Sequence, residues 1–174
     1  MSSKILITGL PGCGKTTLIK ELIKGREGKF AGFLTEEIRE SGARIGFEIK
    51  FTSGKSGLLA RKNLDSKYRV GGYGVDLEQF DRLLDQEKMN ILKSRYVIID
   101  EIGRMELFSE KFKSLINHVL SSECLLIGTV TYKSHPFADI IKKRDDVRLI
   151  KLERKNFAKI RSQLEEAVNN HGSG

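Results

Sequence analysis

The sequence predicts an α/β fold in which a mainly parallel sheet carries helices on both faces, and three observations predict it. A strand-sized apolar run, Lys4-Ile5-Leu6-Ile7-Thr8, leads through a glycine-rich loop into a segment of helical periodicity. From residue 96 onward, strand-like and helix-like segments alternate, which is the pattern of a parallel sheet with helical crossovers. Between these regions, two-residue alternation broken by turn residues adds a β-hairpin segment.

Residues 4–8 are apolar enough for a strand buried on both faces, and Lys15 to Lys24 places Leu18, Ile19, Leu22 and Ile23 at helical spacing. Phe30 to Ile38 and Arg44 to Thr52 alternate as strands around a turn at Glu40-Ser41-Gly42, followed by a short strand at Gly57-Leu58-Leu59-Ala60. The stretch Gly71-Gly72-Tyr73-Gly74 reads as a surface turn. After it, Leu77, Phe80, Leu83, Leu84 and Ile91 mark an amphipathic helix from Asp76 to Leu92. The second half predicts strand 96–100, helix 106–120, strand 124–130, helix 136–143, strand 147–152 and helix 156–168. Ser109 suits either a cap of helix 106–120 or a place inside its first turn. His135, before Pro136, reads as a turn or capping residue rather than a catalytic one.

A chain of 174 residues is expected to form one domain over residues 1–168, large enough to bury roughly 70% of its unfolded surface. The small polar tail from Asn169 to Gly174 is expected to fray. A composition of 39% hydrophobic and 31% charged residues excludes general disorder. The apolar runs are far shorter than the roughly 20 residues that cross a bilayer. The start of the chain does not read as a cleavable leader, so the expected location is the cytoplasm, with no membrane partner. Cys13 and Cys124 have neither zinc-site nor disulfide-framework spacing and are expected as free thiols.

Residues 1–75 carry 14 basic against 7 acidic side chains, whereas residues 76–131 carry 7 against 10. Positive charge of this kind attracts polyanions, and a nucleotide already supplies one. A nucleic-acid partner is admitted by the charge, but no basic segment is interleaved with aromatics to form a stacking platform. Nothing in the sequence demands an oligomer, and a monomer suffices.

The chemistry starts at Gly9-Leu10-Pro11-Gly12-Cys13-Gly14-Lys15-Thr16, which fits the phosphate-loop pattern in full and sits between a strand and a helix, where that pattern functions. Its glycines let backbone N–H groups converge on phosphate oxygens, and the helix N-terminus adds partial positive charge. Lys15 is expected to reach the β- and γ-phosphates, and Thr16 to offer its hydroxyl to Mg²⁺. Such a loop needs a carboxylate at the end of a neighbouring strand. Tyr96-Val97-Ile98-Ile99-Asp100-Glu101 supplies two. Asp100 is expected to hold the metal with Thr16. Because strand side chains alternate in direction, Glu101 is expected to point elsewhere and to serve as the base that deprotonates an attacking water.

Charge spreading over the γ-phosphoryl group calls for cations, and Arg39, Arg44 and Arg104 are the candidates. Asp100-x-x-Gly103 also suits a switch in which the Gly103 amide meets the γ-phosphate. The guanine-selecting Asn/Thr-Lys-x-Asp pattern of regulatory GTPases is absent, however.

Nearly the whole chain resembles the thermophilic-type nucleoside triphosphatase family, relatives of the human cancer-related nucleoside triphosphatase. The residues that carry the resemblance are Gly9 to Thr17, Gly32-Phe-Leu-Thr-Glu-Glu-Ile-Arg39, Arg44-Ile-Gly-Phe47, Tyr73-Gly-Val-Asp76, Asp100-Glu-Ile-Gly-Arg-Met-Glu-Leu107 and His135-Pro136. The resemblance implies a small RecA-like fold and Mg²⁺-dependent hydrolysis of several nucleoside triphosphates with loose base selectivity. Lysine often stands in that family where this chain has Arg104. Two alternatives remain at this stage: a small nucleotide or nucleoside kinase, with residues 139–148 as a basic lid, and a nucleotide-switched RNA-binding module.

Overall fold

The computed structural model describes residues 3–172. In chain order the elements are β1 (Lys4–Thr8), α1 (Lys15–Ile23), β2 (Ala31–Glu40), β3 (Ala43–Phe51), β4 (Ser56–Lys62), β5 (Arg69–Val70), β6 (Tyr73–Val75), α2 (Leu77–Lys93), β7 (Tyr96–Ile102), α3 (Glu110–Ser121), β8 (Leu125–Val130), α4 (Pro136–Lys142), β9 (Val147–Lys151) and α5 (Phe157–His171). The strands form one nine-stranded sheet in the order β5-β6-β4-β3-β2-β7-β8-β1-β9. From β2 to β9 all neighbours are parallel. Beyond β2 the sheet continues as an antiparallel extension through β3, β4, β6 and β5. The expected α/β class, mainly parallel with an added hairpin segment, describes this arrangement.

The unbroken apolar runs follow from burial on both faces. Along β1, Leu6 joins one core with α2 and α3, while Ile5 and Ile7 join the other with α1 and α5. Strand β7 divides in the same way, Val97 and Ile99 to one side and Tyr96 and Ile98 to the other. On the first face Phe33 is fully buried, with ring centroids 5.4 Å from Phe51, 6.0 Å from Phe80 and 5.8 Å from Phe112. Phe33→Ala is therefore expected to cost about 3–5 kcal/mol, read as a lower urea midpoint with unchanged denaturant slope. Next to Phe33, Gly32 has φ of 137°, and a Cβ there would lie 1.8 Å from the Ile98 carbonyl oxygen. Glycine lets β2 lie against β7, and so sets the register Leu34 beside Asp100.

Several boundaries differ from the sequence reading, each for a physical reason. The supposed surface turn at residues 71–74 is the tip of a hairpin whose strands are too short to show alternation. Helix 106–120 is divided. A 3-10 turn covers Glu106–Phe108, and the Ser109 hydroxyl accepts the Phe112 N–H at 3.0 Å as the cap of α3. Helix α5 runs to His171, whose ring packs edge-on against Tyr96 at 5.3 Å, so Asn169 and Asn170 are helical. Residues 173–174 of the expected tail lie outside the described residues. Among the described residues, no helix is long and apolar enough to cross a membrane.

Candidate active site

β1 delivers the chain into the glycine loop, and Gly14 turns it into α1 with φ of 102°, a backbone conformation open to glycine. No side chain caps α1 and no acid stands in its first turn, so its positive end faces an incoming anion. The Lys15 ammonium donates to the carbonyls of Gly9 at 2.9 Å and Leu10 at 3.4 Å, which holds it across the loop. Leu10, Pro11 and Gly12 form the exposed rim, Cys13 and Thr16 are half-buried, and Thr17 faces outward on α1. Both cysteines are free.

Only β8 separates β1 from β7. Across it, the Thr16 hydroxyl donates to Asp100 Oδ2 at 2.7 Å, and Thr129 on β8 donates to Asp100 Oδ1 at 2.5 Å. Asp100 is 2% exposed. Burial pushes its carboxyl above the usual range, against the lowering pull of Thr129, Thr16 and Lys15. This all-oxygen donor set, one carboxylate with one hydroxyl beside a phosphate cradle, suits Mg²⁺, which takes few protein ligands and completes its shell with phosphate and water. No group of three or more His, Cys, Asp or Glu able to hold a metal exists among the described residues.

β7 runs past its expected end at Asp100 to Ile102, so Glu101 lies within the strand. The pairing with β8 passes from Ile99 opposite Gly128 to Ile102 opposite Val130, a bulge that places one extra residue on β7. Simple alternation thus does not carry across Asp100 and Glu101, which are joined by a cis peptide. The half-buried Glu101 carboxyl is pushed up by burial and by the charge of Asp100, and pulled down by Lys15 and Lys142.

Thr129 and Lys142 escaped the sequence reading, whereas Thr35 and Glu106 lay inside family-like segments but had no role assigned to them. Thr129 and Lys142 carry no local signal, one being a threonine in a buried strand and the other the single lysine that ends α4. Glu106 is 3% exposed, and its Oε1 accepts from the Thr35 hydroxyl at 3.3 Å. Its signal was an acid between the apolar residues Met105 and Leu107.

Arg39, five residues along β2 beyond Leu34, and Arg44, opposite it on β3, both pair with Glu37, at 2.5 Å and 3.0 Å. Arg104 is exposed in the turn after β7, where its charge is felt at His135. No hydrogen bond or ion pair joins it to the loop among the described residues. Gly103 is buried in that turn, its carbonyl accepting from the Leu107 N–H at 3.0 Å. His135 caps α4 by accepting the Phe137 N–H at 3.2 Å.

Burial, then the charge of Glu101, pushes the Glu106 carboxyl from 4.5 up to about 8. The folded protein therefore holds this proton more tightly than the unfolded chain. The associated stability is complete below about pH 4.5 and is lost as pH rises through about 8. Glu106→Gln is expected to flatten this decline by up to a few kcal/mol, at about 1.4 kcal/mol per pKa unit, in melting temperatures measured across that range.

A glycine loop between a strand and a helix, with its threonine bonded to an aspartate on a parallel strand, defines a P-loop NTPase fold. The chain belongs to the NTPase family, whose model, described as NTPase, matches residues 4–168. It is 45% identical over 154 residues to the nucleoside-triphosphatase THEP1 of Thermotoga sp. (strain RQ2), covering 88% of each chain. The crystal structure of THEP1 from the hyperthermophile Aquifex aeolicus superposes with a TM-score of 0.82 at 36% identity, covering 92% of this chain and 96% of that one. The solution structure of a human cancer-related nucleoside triphosphatase gives 0.78 at 33% identity, covering 96% and 97%.

Proposed function

We propose that this protein hydrolyses nucleoside 5'-triphosphates to the diphosphate and inorganic phosphate, with Mg²⁺ as cofactor and loose selectivity for the base. The observation that carries this reading is the Thr16–Asp100 hydrogen bond with Glu101 next in the chain, which sets a second acid beside the phosphate cradle where water is the simplest acceptor. The relatives' names, nucleoside-triphosphatase, support the hydrolysis itself.

The loop N–H groups and Lys15 grip the phosphate oxygens, and Thr16 and Asp100 would hold Mg²⁺, which when bound offsets charge on the β- and γ-phosphates. Glu101 takes the proton of the attacking water as its oxygen bonds to the γ-phosphorus. The bridging P–O bond breaks, and its electron pair stays on the departing diphosphate. Burial raises the basicity of Glu101, which favours proton abstraction near neutral pH.

A kinase reading has less support. The basic stretch from Asp139 to Arg148 is not a free lid, since Lys142 ends α4, Arg144 pairs with Asp146 at 2.6 Å and Arg148 donates to Gln163 at 3.0 Å. The test is phosphate release from ATP, GTP, CTP and UTP, with and without Mg²⁺ and with no acceptor added. Release from all four that depends on the metal is expected. Transfer to an added nucleotide without release to water would overturn the reading.

A further inference from the structure

A carboxyl buried without an ion pair is costly, and an apolar side chain of the same size would pack at lower cost. Glu106 is such a group, with no cation paired to it among the described residues. Its backbone is fixed by the turn that follows β7, in which Leu107 N–H donates to Gly103 and Ser109 N–H donates to Glu106, both at 3.0 Å. Leu107, 2% exposed, anchors that turn in the core. The register of β2 on β7 pairs Leu34 with Asp100, which puts Thr35 one residue past the level of Asp100. Thr35 donates to Glu106 Oε1, and Oε2 lies on the Gly103 side, where Glu101 Oε1 also lies. A Cβ on Gly103 would lie 2.7 Å from Glu101 Oε1 and 2.8 Å from Glu106 Oε2, so the two oxygens flank the space that glycine leaves open. One hydrogen bond, direct after a small shift or through one water, spans such a gap.

We propose that Glu106 is a positioning residue, whose carboxyl, oriented by Thr35, hydrogen-bonds Glu101 and fixes the angle at which Glu101 meets the attacking water. The proposal rests on the hydrolytic reading above. With Oε1 occupied as an acceptor, Oε2 is the oxygen that carries the proton and donates it to the Glu101 carboxylate. The upward push on Glu106 keeps that proton in place at neutral pH.

The test compares Glu106→Met, close in size and unable to donate, with Glu106→Gln, whose amide N–H can donate. It reads kcat and KM for MgATP, affinity for a non-hydrolysable ATP analogue, and Tm. Met is expected to lower kcat roughly 10–100-fold, the scale of a small misplacement of a reacting group, with KM, affinity and Tm kept. Gln is expected to recover most of that loss. Parental kcat in the Met variant, a Met loss that brings affinity and Tm down with it, or a Gln variant as slow as Met would each overturn the positioning role. A parent that releases no phosphate defeats instead the hydrolytic reading, and the two failures are thereby told apart.

Discussion

Glu101→Gln is expected to lower kcat by roughly 10²–10⁴, the usual contribution of a general base, while triphosphate affinity stays at its parental value. Glutamine keeps the volume and one acceptor oxygen but cannot accept the proton of water. The side chain makes none of the contacts that hold the loop, so the fold loses nothing by the change: Thr16 and Thr129 both bond Asp100. Removing a carboxylate also relieves the repulsion by which Asp100 pushes Glu101 up, and the variant is expected to melt no lower than the parent. Single-turnover phosphate release alongside binding of a non-hydrolysable analogue separates the two quantities. An unchanged kcat would sink the role of Glu101 as base.

The glycine loop was legible because its function is written in local backbone: glycines, Lys15 and Thr16 at fixed spacing between a strand and a helix. Asp100 was legible for a related reason, an acid at the end of a fully apolar strand. The direction of Glu101 was not. A pleat argument assumes regular pairing, and β7 bulges against β8 at that position. Thr129 and Thr35 are ordinary strand residues until the sheet order places each beside an acid. Arg39 attracted interest from sequence because a cation was needed and one stood in a conspicuous segment, but β2 carries it past the level of Asp100 into a pair with Glu37. Along that segment the partners change from residue to residue: Thr35 reaches Glu106, Glu36 bridges Lys20 and Lys50 at 2.7 and 2.8 Å, and Glu37 binds the two arginines. The double-sided burial of β1, β7 and β8 was readable from their unbroken apolar runs. Strands β5 and β6, with two and three residues, have no period to read.

Lys15→Met is expected to produce the largest loss of the two, because it removes binding as well as chemistry. The ammonium is held by carbonyls of its own loop, Gly9 and Leu10, so the charge is already in place when a triphosphate arrives and little ordering remains to be done. A charge-assisted hydrogen bond to phosphate contributes about 1.5–3 kcal/mol, which corresponds to a roughly 10–150-fold weaker affinity at about 1.4 kcal/mol per decade. The same charge meets the γ-phosphoryl oxygens as they gain negative charge, and loss of one such group costs roughly 10²–10³ in kcat. Methionine keeps the apolar stem, so α1, buried through Leu18, Ile19, Leu22 and Ile23, is expected to stay folded with a parental melting temperature. Lys15→Arg is expected to rescue poorly, since a planar fork cannot take the place of a compact ammonium between two loop carbonyls. Titration of a non-hydrolysable triphosphate at two salt concentrations, beside steady-state phosphate release, checks both parts. Parental affinity in the methionine variant would mean that the glycine loop's N–H groups alone carry the phosphate grip, and that Lys15 serves the loop rather than the substrate.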